Sequence, residues 1–206
     1  MPEKKREKQN LILDAAFELI LEKGYSNTKI IDIANKAGIG KGTFYEYFES
    51  KEALALELVN TRVRNDYVRI HEEIENEPTS TKKLAKYLQL EIEATSKYRA
   101  NVVDFRNEFM GGGTEISEKV LAAVHSIMQF QFESVYNIIK AGIGSGEFKN
   151  VDPFAAAACF MGSIGFYMSL LHFSGSSVKA GGPRQAGRAD DAAGVLDCLL
   201  TGLIAH

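Results

Sequence analysis

Lys41, Gly42, Thr43, Tyr45 and Tyr47 crowd into one short stretch, with Lys51 close behind. These types in this spacing suit contact with a polyanion. A lysine ammonium neutralises a phosphate. Threonine can meet a base edge through its hydroxyl or its methyl. Tyrosine hydroxyls can hydrogen-bond phosphate oxygens. A glycine among them lets the backbone itself come close.

The elements that must position these residues run from Thr28 to Leu54. Thr28 can cap a helix, and Asp32 sits in its first turn, where a carboxylate suits the positive end of the dipole. Ile30, Ile33, Ala34 and Ala37 recur at helical spacing. Gly38 can end that helix with a positive φ. Gly40 stands at the cap of a second helix, Lys41 to Tyr47, with Phe44 and Phe48 turned inward. Ser50 can cap a third helix, with Glu52 in its first turn. Two short helices joined by a tight glycine-containing turn predict a helix-turn-helix, whose second helix enters the DNA major groove.

The run Ile33-Ala34-x-x-Ala37-Gly38-Ile39-x-Lys41-Gly42-Thr43-Phe44-Tyr45-x-Tyr47-Phe48-x-Ser50-Lys51-Glu52-Ala53-Leu54 resembles the DNA-binding signature of tetracycline-repressor (TetR) family regulators. The resemblance is close over roughly the first quarter of the chain and extends to the rest in layout alone. It implies a DNA-contact set of Thr28, Lys29, Gly40, Lys41, Gly42, Thr43, Tyr45, Tyr47 and Lys51. Two positions depart from it. Many members carry serine at Gly40 and histidine at Tyr47.

Composition sets the outer bounds. With 206 residues, 45% hydrophobic and 25% charged, the chain is globular in character. Its net charge of −3 argues against a wholly basic nucleic-acid binder. The charge is uneven, however: through Lys51 nine Lys/Arg face eight Asp/Glu, and the remainder is acidic. Lys4, Lys5, Arg6 and Lys8 cluster at the start of a helix expected from about Glu3 to Lys23. Two readings stand for them, a contact along a DNA backbone or a solvated helix start. Cys159 and Cys198 form no disulfide framework and no metal-ligand spacing, which fits a reducing cytoplasm. Both read as packing within apolar helices rather than as redox sensors.

Every later segment reads as helix, giving an all-α chain of about nine helices. A three-helix head occupies residues 1–54, and a ligand-binding and dimerisation body occupies 55–206. A long helix from Lys51 to about Glu75 serves both. Gly111-Gly112-Gly113 marks a break, with Thr114 as the next cap and a helix to about Lys140. Gly142 to Gly146 reads as a turn. Asp152-Pro153 opens a further helix with a cap residue and proline at the first helical position. The uncharged segment Pro153 to Phe173 is long enough for a membrane span. Its alanines, Gly162, Ser163, Gly165, Ser169 and His172 favour a helix buried on two sides, and no membrane partner is expected. Ala155, Cys159, Gly162 and Ser169 form its small-residue side. The family layout implies that this helix and a last one, about Ala189 to Ala205, pair with their mates in a homodimer.

Catalysis has little support. The four histidines are scattered, and neither Gly40-Lys41-Gly42 nor Gly142-Ile143-Gly144-Ser145-Gly146 follows a strand as a phosphate loop or dinucleotide fingerprint must. No metal or cofactor is expected. A small-molecule cavity fits better, because polar residues interrupt apolar faces. Phe105, Phe109, Met128, Phe132, Tyr136 and Met168 are candidate wall residues. Glu91, Arg106, Gln131 and His172 are candidate orienting groups, although Glu91 and Arg106 could equally pair for structure. The expected function is a ligand-responsive regulator on an inverted-repeat operator of double-stranded DNA, acting as a repressor and released by a largely apolar effector. The alternative is a non-enzymatic helical carrier of lipids or small molecules, with the first fifty residues as scaffold.

Overall fold

The computed structural model describes residues 3–97, 117–177, 194 and 197–204. Among them the chain is all-helical: α1 (Glu3–Lys23), α2 (Ile30–Lys36), α3 (Lys41–Tyr47), α4 (Lys51–Leu58), α5 (Arg64–Glu75), α6 (Ser80–Lys97), α7 (Glu118–Gly144) and α8 (Pro153–Ser177). A π-helical turn, Val59–Val63, joins α4 to α5, so the expected Lys51 helix runs unbroken to Glu75 but with one widened turn. These residues form two compact units. One holds the described residues through Asp66 together with 117–127; the other holds 67–97 together with the described residues from Met128 onward.

The first unit is built around an apolar cluster. Ile12, Leu13, Ala15 and Ala16 of α1, Ile33 of α2, Phe44 and Phe48, and Leu54 and Leu58 of α4 are all buried in it. Gly24 ends α1 at φ 82° and Gly38 ends α2 at φ 68°, both left-handed positions that favour glycine. Ile39 N–H then reaches back to the Ala34 carbonyl at 2.9 Å. Ser50 caps α4 as expected, its hydroxyl accepting from Ala53 N–H at 3.0 Å. Thr28 does not cap α2. Lys29 holds that position, and Thr28 is fully buried, its hydroxyl donating back to the Gly24 carbonyl at 2.7 Å. The carboxylate of Asp32 instead serves the start of α2, accepting from Lys29 N–H at 3.4 Å.

In the second unit, Ile74, Leu84, Tyr87, Leu88, Val135, Ile138, Ile139, Phe148, Ala157, Phe160 and Ile164 are buried. Two local expectations need correction. Helix α7 continues to Gly144, so Gly142 lies inside a helix and only the residues after it turn. The helix begins at Glu118, and Thr114 lies outside the described residues. The Asp152-Pro153 start holds: the Asp152 carboxylate accepts from Phe154 and Ala155 N–H, each at 3.2 Å. A long-range cap was not foreseen. Glu147 accepts from Ser80 N–H at 2.9 Å and Thr81 N–H at 2.8 Å, closing the first turn of α6 from across the unit. Burial alone would raise the Glu147 carboxyl, but these backbone bonds and the Thr81 and Thr79 hydroxyls outweigh it and hold it below the usual glutamate range.

Candidate nucleic-acid interface and effector cavity

Helix α3 is oriented by two phenylalanines. Phe44 is wholly buried and Phe48 nearly so, one turn apart, with ring centroids at 5.8 Å. That spacing fixes the rotation of the helix and therefore its outer face. Lys41, Gly42 and Tyr45 are exposed, as is Glu46, an acidic neighbour absent from the sequence-derived set; Thr43 is half-buried. Tyr47 is half-buried against the apolar cluster, so part of its ring serves packing.

Gly40 and Gly42 have an informative environment. A Cβ built at either would meet no atom within 4 Å. Gly40 sits at φ −74°, an ordinary value for any residue. Neither packing nor backbone angle within the chain demands glycine at these two positions. Gly40 is the N-cap, where glycine is preferred over alanine, but Gly42 lies inside α3, where glycine costs up to about 1 kcal/mol relative to alanine. What glycine supplies at the start of α3 is bare backbone facing open space.

Other members of the predicted set stand apart. Lys29 and Gly40 are exposed beside α2 and α3. Thr28 is buried and committed to Gly24. Lys51 donates to the Tyr25 carbonyl at 3.1 Å, with its ammonium 4.2 Å from the centroid of that ring. Tyr25 is itself buried in the bend after α1, so Lys51 pins that bend to the start of α4. Lys23 pairs with Asp32 and holds that carboxyl below its usual range. Lys36 pairs with Glu18 at 2.9 Å. These two pairs bridge α1 and α2 at the surface.

In the second unit a small cavity, about 210 Å³ of space open to solvent, is lined by Tyr67, Ile70, His71, Ile74, Tyr87, Phe130, Gln131 and Ser134. Two polar pairs mark it. Gln131 Nε2 donates to Glu91 Oε1 at 3.1 Å, and His71 Nδ1 lies 3.0 Å from Ser134 Oγ. The His71 ring meets Phe130 edge-on at 5.4 Å. Of the predicted residues, Gln131 lines the cavity and Glu91 is bound to it. Phe132 packs edge-on against Phe154 at 5.1 Å, Tyr136 carries Lys140 over its ring, and Met128 is half-buried outside the lining. Phe105, Arg106 and Phe109 lie outside the described residues. Met168 and His172 lie on α8, where the side chains are outside the description. Sequence reasoning missed Tyr67, His71, Tyr87, Phe130 and Ser134. A signal existed, since Tyr67, His71 and Ile74 share one face at helical spacing.

Helix α8 presents an uncovered stripe. Phe154, Ala155, Ala158, Cys159, Gly162, Ser163 and Phe166 are exposed, while Ala157, Phe160 and Ile164 on the other side are buried. Both cysteines, expected to be packed, are exposed. Among the described residues no helix is long and apolar enough to cross a membrane, and no cluster of His, Cys, Asp or Glu could hold a metal ion.

Residues 12–58 match the family model described as bacterial regulatory proteins, tetR family. The fatty acid metabolism regulator protein of Bacillus subtilis (strain 168) is 29% identical over 161 residues, covering 78% of this chain and 81% of that protein. The crystal structure of the transcriptional regulator FadR from Bacillus subtilis in complex with stearoyl-CoA superposes with a TM-score of 0.72 at 23% identity, over 95% of this chain and 98% of that one. A transcriptional regulator from Saccharomonospora viridis in complex with choline superposes at 0.82 with 19% identity, over 98% and 100%. At such identities the two structures speak for the fold. The helix-turn-helix matched over residues 12–58 and the all-helical fold shared with these regulators indicate a transcriptional regulator of the TetR family.

Proposed function

We propose that the chain is a non-enzymatic, ligand-responsive repressor that works in the cytoplasm as a homodimer on an inverted-repeat operator. Residues 1–54 serve as the head and 55–206 as the body. The observation that carries this reading is the outer face of α3. Phe44 and Phe48 turn inward, leaving Lys41, Thr43, Tyr45 and two unobstructed glycines on the outside. Lys41 neutralises a phosphate, Thr43 reads a base edge, and Tyr45 with the exposed part of Tyr47 meets backbone or base. Lys29 adds a cation beside them. Thr28 and Lys51 act one step back, holding the bend that sets α2 and α4.

The effector reading rests on the cavity. An apolar wall with two polar pairs is the composition of a small-molecule site. Most of the cavity's space is open solvent and the enclosed part has room for about one water, far below the roughly 300–1,000 Å³ of drug-sized pockets, so any ligand must open the cleft. The stearoyl-CoA bound by the Bacillus regulator makes acyl thioesters the first class to try, with choline second. The run from Lys51 to Glu75 buries Leu54 and Leu58 in the head core and contributes Tyr67, Ile70, His71 and Ile74 to the cavity. One continuous helical run thus touches both functions. An effector releases DNA only if it binds one arrangement of that run better than the other.

Selection of bound fragments from random double-stranded DNA tests the reading. Aligned inverted repeats are expected. Thr43→Ala should lose roughly 1–3 kcal/mol at one operator position, and Lys41→Ala should weaken all sequences alike. Absence of any selected motif, or mutants that bind like wild type, would refute it. Acyl thioesters that raise the melting temperature should also release DNA. Equal stabilisation of wild type and Gln131→Leu would remove Gln131 from the site.

A further inference from the structure

The side of α3 turned away from the core carries an acid that the reading above does not use. Gly42 and Glu46 lie two positions either side of the buried Phe44. At about 100° per residue, each stands roughly 160° round the helix from that ring. They are therefore one turn apart on the side opposite the core, and both are exposed. Helical Cα–Cβ bonds tilt toward the N-terminus, so Glu46 rises over the turn that Gly42 leaves bare. A Cβ at Gly42 would meet nothing within 4 Å. With seven residues, α3 is about 10 Å long, so both of its turns fit a groove about 12 Å wide.

This acid is placed against local preference. It is the last residue but one of α3, near the end of the helix dipole that disfavours an anion. Thr43 and Gly42 stand three and four positions before it, Glu49 and Ser50 three and four after it. None is a cation that could pair with it at helical spacing. Among the described residues the Glu46 side chain makes no ion pair and no hydrogen bond. Facing DNA, its charge is repelled by every phosphate. Local rules broken without an internal gain point to a use outside the chain. A carboxylate offers only acceptors. In the major groove guanine shows two acceptors, thymine an acceptor and a methyl, and adenine an acceptor beside its amino group; cytosine shows an amino donor and no acceptor.

We propose that Glu46 is a specificity-determining residue, its carboxylate accepting from the amino group of a cytosine in the groove that α3 enters. Discrimination comes from both signs. Cytosine donates to the carboxylate, whereas guanine and thymine set acceptor against acceptor. Bare backbone at Gly42 lets the helix come near enough for Glu46 to reach a base edge. Against random DNA the same charge only lowers affinity. This role rests on the DNA reading above.

The test puts full-length wild type, Glu46→Gln and Glu46→Ala through selection from random double-stranded DNA, then titrates each with the selected sequences and with random DNA. The wild-type motif should hold one C·G pair per half-site that depends on residue 46. Glutamine pairs with adenine N6 and N7, so Glu46→Gln should prefer A·T at that pair. Glu46→Ala should show no preference there, and every other position should stay as in wild type. Replacing that cytosine should weaken wild type by roughly 5- to 150-fold per half-site and leave Glu46→Ala unaffected. Both variants should bind random DNA more tightly, and their melting temperatures should stay level or rise, because an anion leaves the negative end of a helix. One motif shared by all three proteins overturns this role and leaves the α3 reading intact. A gain in affinity equal for operator and random DNA, with the motif unchanged, overturns it in favour of plain repulsion. A clear fall in melting temperature overturns it in favour of a structural role. A wild type that selects no motif defeats both readings.

Discussion

Gly42 in the head and Gly142 in the body are both helical glycines, and they are there for opposite reasons. A Cβ on Gly142 would fall 2.3 Å from Phe148 Cδ2 and 2.9 Å from Ser80 Cβ, so α7 needs glycine to let the following turn and the start of α6 come close. A Cβ on Gly42 would meet nothing within 4 Å. The body glycine is explained from within the molecule, whereas nothing within the molecule crowds the head glycine. The polar groups follow the same division. In the head they stand on the outer face of α3 around an apolar core. In the body His71, Ser134, Gln131 and Glu91 are paired beside a cavity. One region carries its polar groups on an outer face and the other beside a cleft.

Gly142→Ala is the largest expected effect. Phe148 is buried and cannot swing clear, so overpacking should cost about 1–3 kcal/mol. Chemical denaturation would read this as a lower midpoint. A variant as stable as wild type would mean that the turn relaxes freely and that the body glycine is no more constrained than the head one.

Gly162 on α8 tests the contrast from the other side, because it lies in the body yet has nothing within 4 Å of a Cβ. Gly162→Leu should leave the monomer fold intact and weaken dimerisation by about 1–3 kcal/mol through overpacking at the partner. Sedimentation over a range of concentrations should show more monomer. A dimer of undiminished strength would place the interface on another face.

Much of the head could be read from the sequence because its determinants are local. Phe44 and Phe48 one turn apart, Gly38 after α2 and Ser50 before α4 act on neighbours within a few residues, as does Asp152 before Pro153 in the body. The failures are of two kinds. Thr28 is a local ambiguity: its hydroxyl could serve forward as a cap or backward to the carbonyl four residues earlier, and it bonds backward. Lys51 with Tyr25, Gln131 with Glu91, and Glu147 with the start of α6 join residues 26, 40 and 66 or 67 positions apart. No periodicity encodes such pairings. The long-range polar contacts therefore stayed hidden while the helices carrying them did not.

Glu147→Gln sharpens the body side with a pH dependence. The carboxyl is held below its usual range, so its stabilisation is fully present above the ordinary glutamate value near 4.5 and is lost as pH falls through the lowered folded value. An amide has one acceptor oxygen in place of two. At neutral pH the variant should lose about 0.5–2 kcal/mol, the range for a lost helix cap. The gap between wild type and variant should close as the pH falls below the ordinary glutamate value and through the lowered folded one. A gap independent of pH would show that the carboxylate charge contributes nothing to holding α6.

Gly42→Ala carries the smallest change in stability and the most direct test of the head. Gly42 is the second residue of α3, exposed, with open space where a methyl would stand. Alanine there should raise stability by about 0.5–1 kcal/mol, through its higher helix propensity and reduced freedom in the unfolded chain. The fold thus forgoes a gain that one methyl would provide. If bare backbone at this point is needed against DNA, the same methyl should clash with the bound partner and weaken operator binding. Melting temperature and operator affinity should therefore move in opposite directions, an outcome that no purely structural role for Gly42 produces. A variant that is more stable and binds equally well would leave this glycine without a role at the interface and would shift the weight of recognition to Lys41, Thr43 and Tyr45.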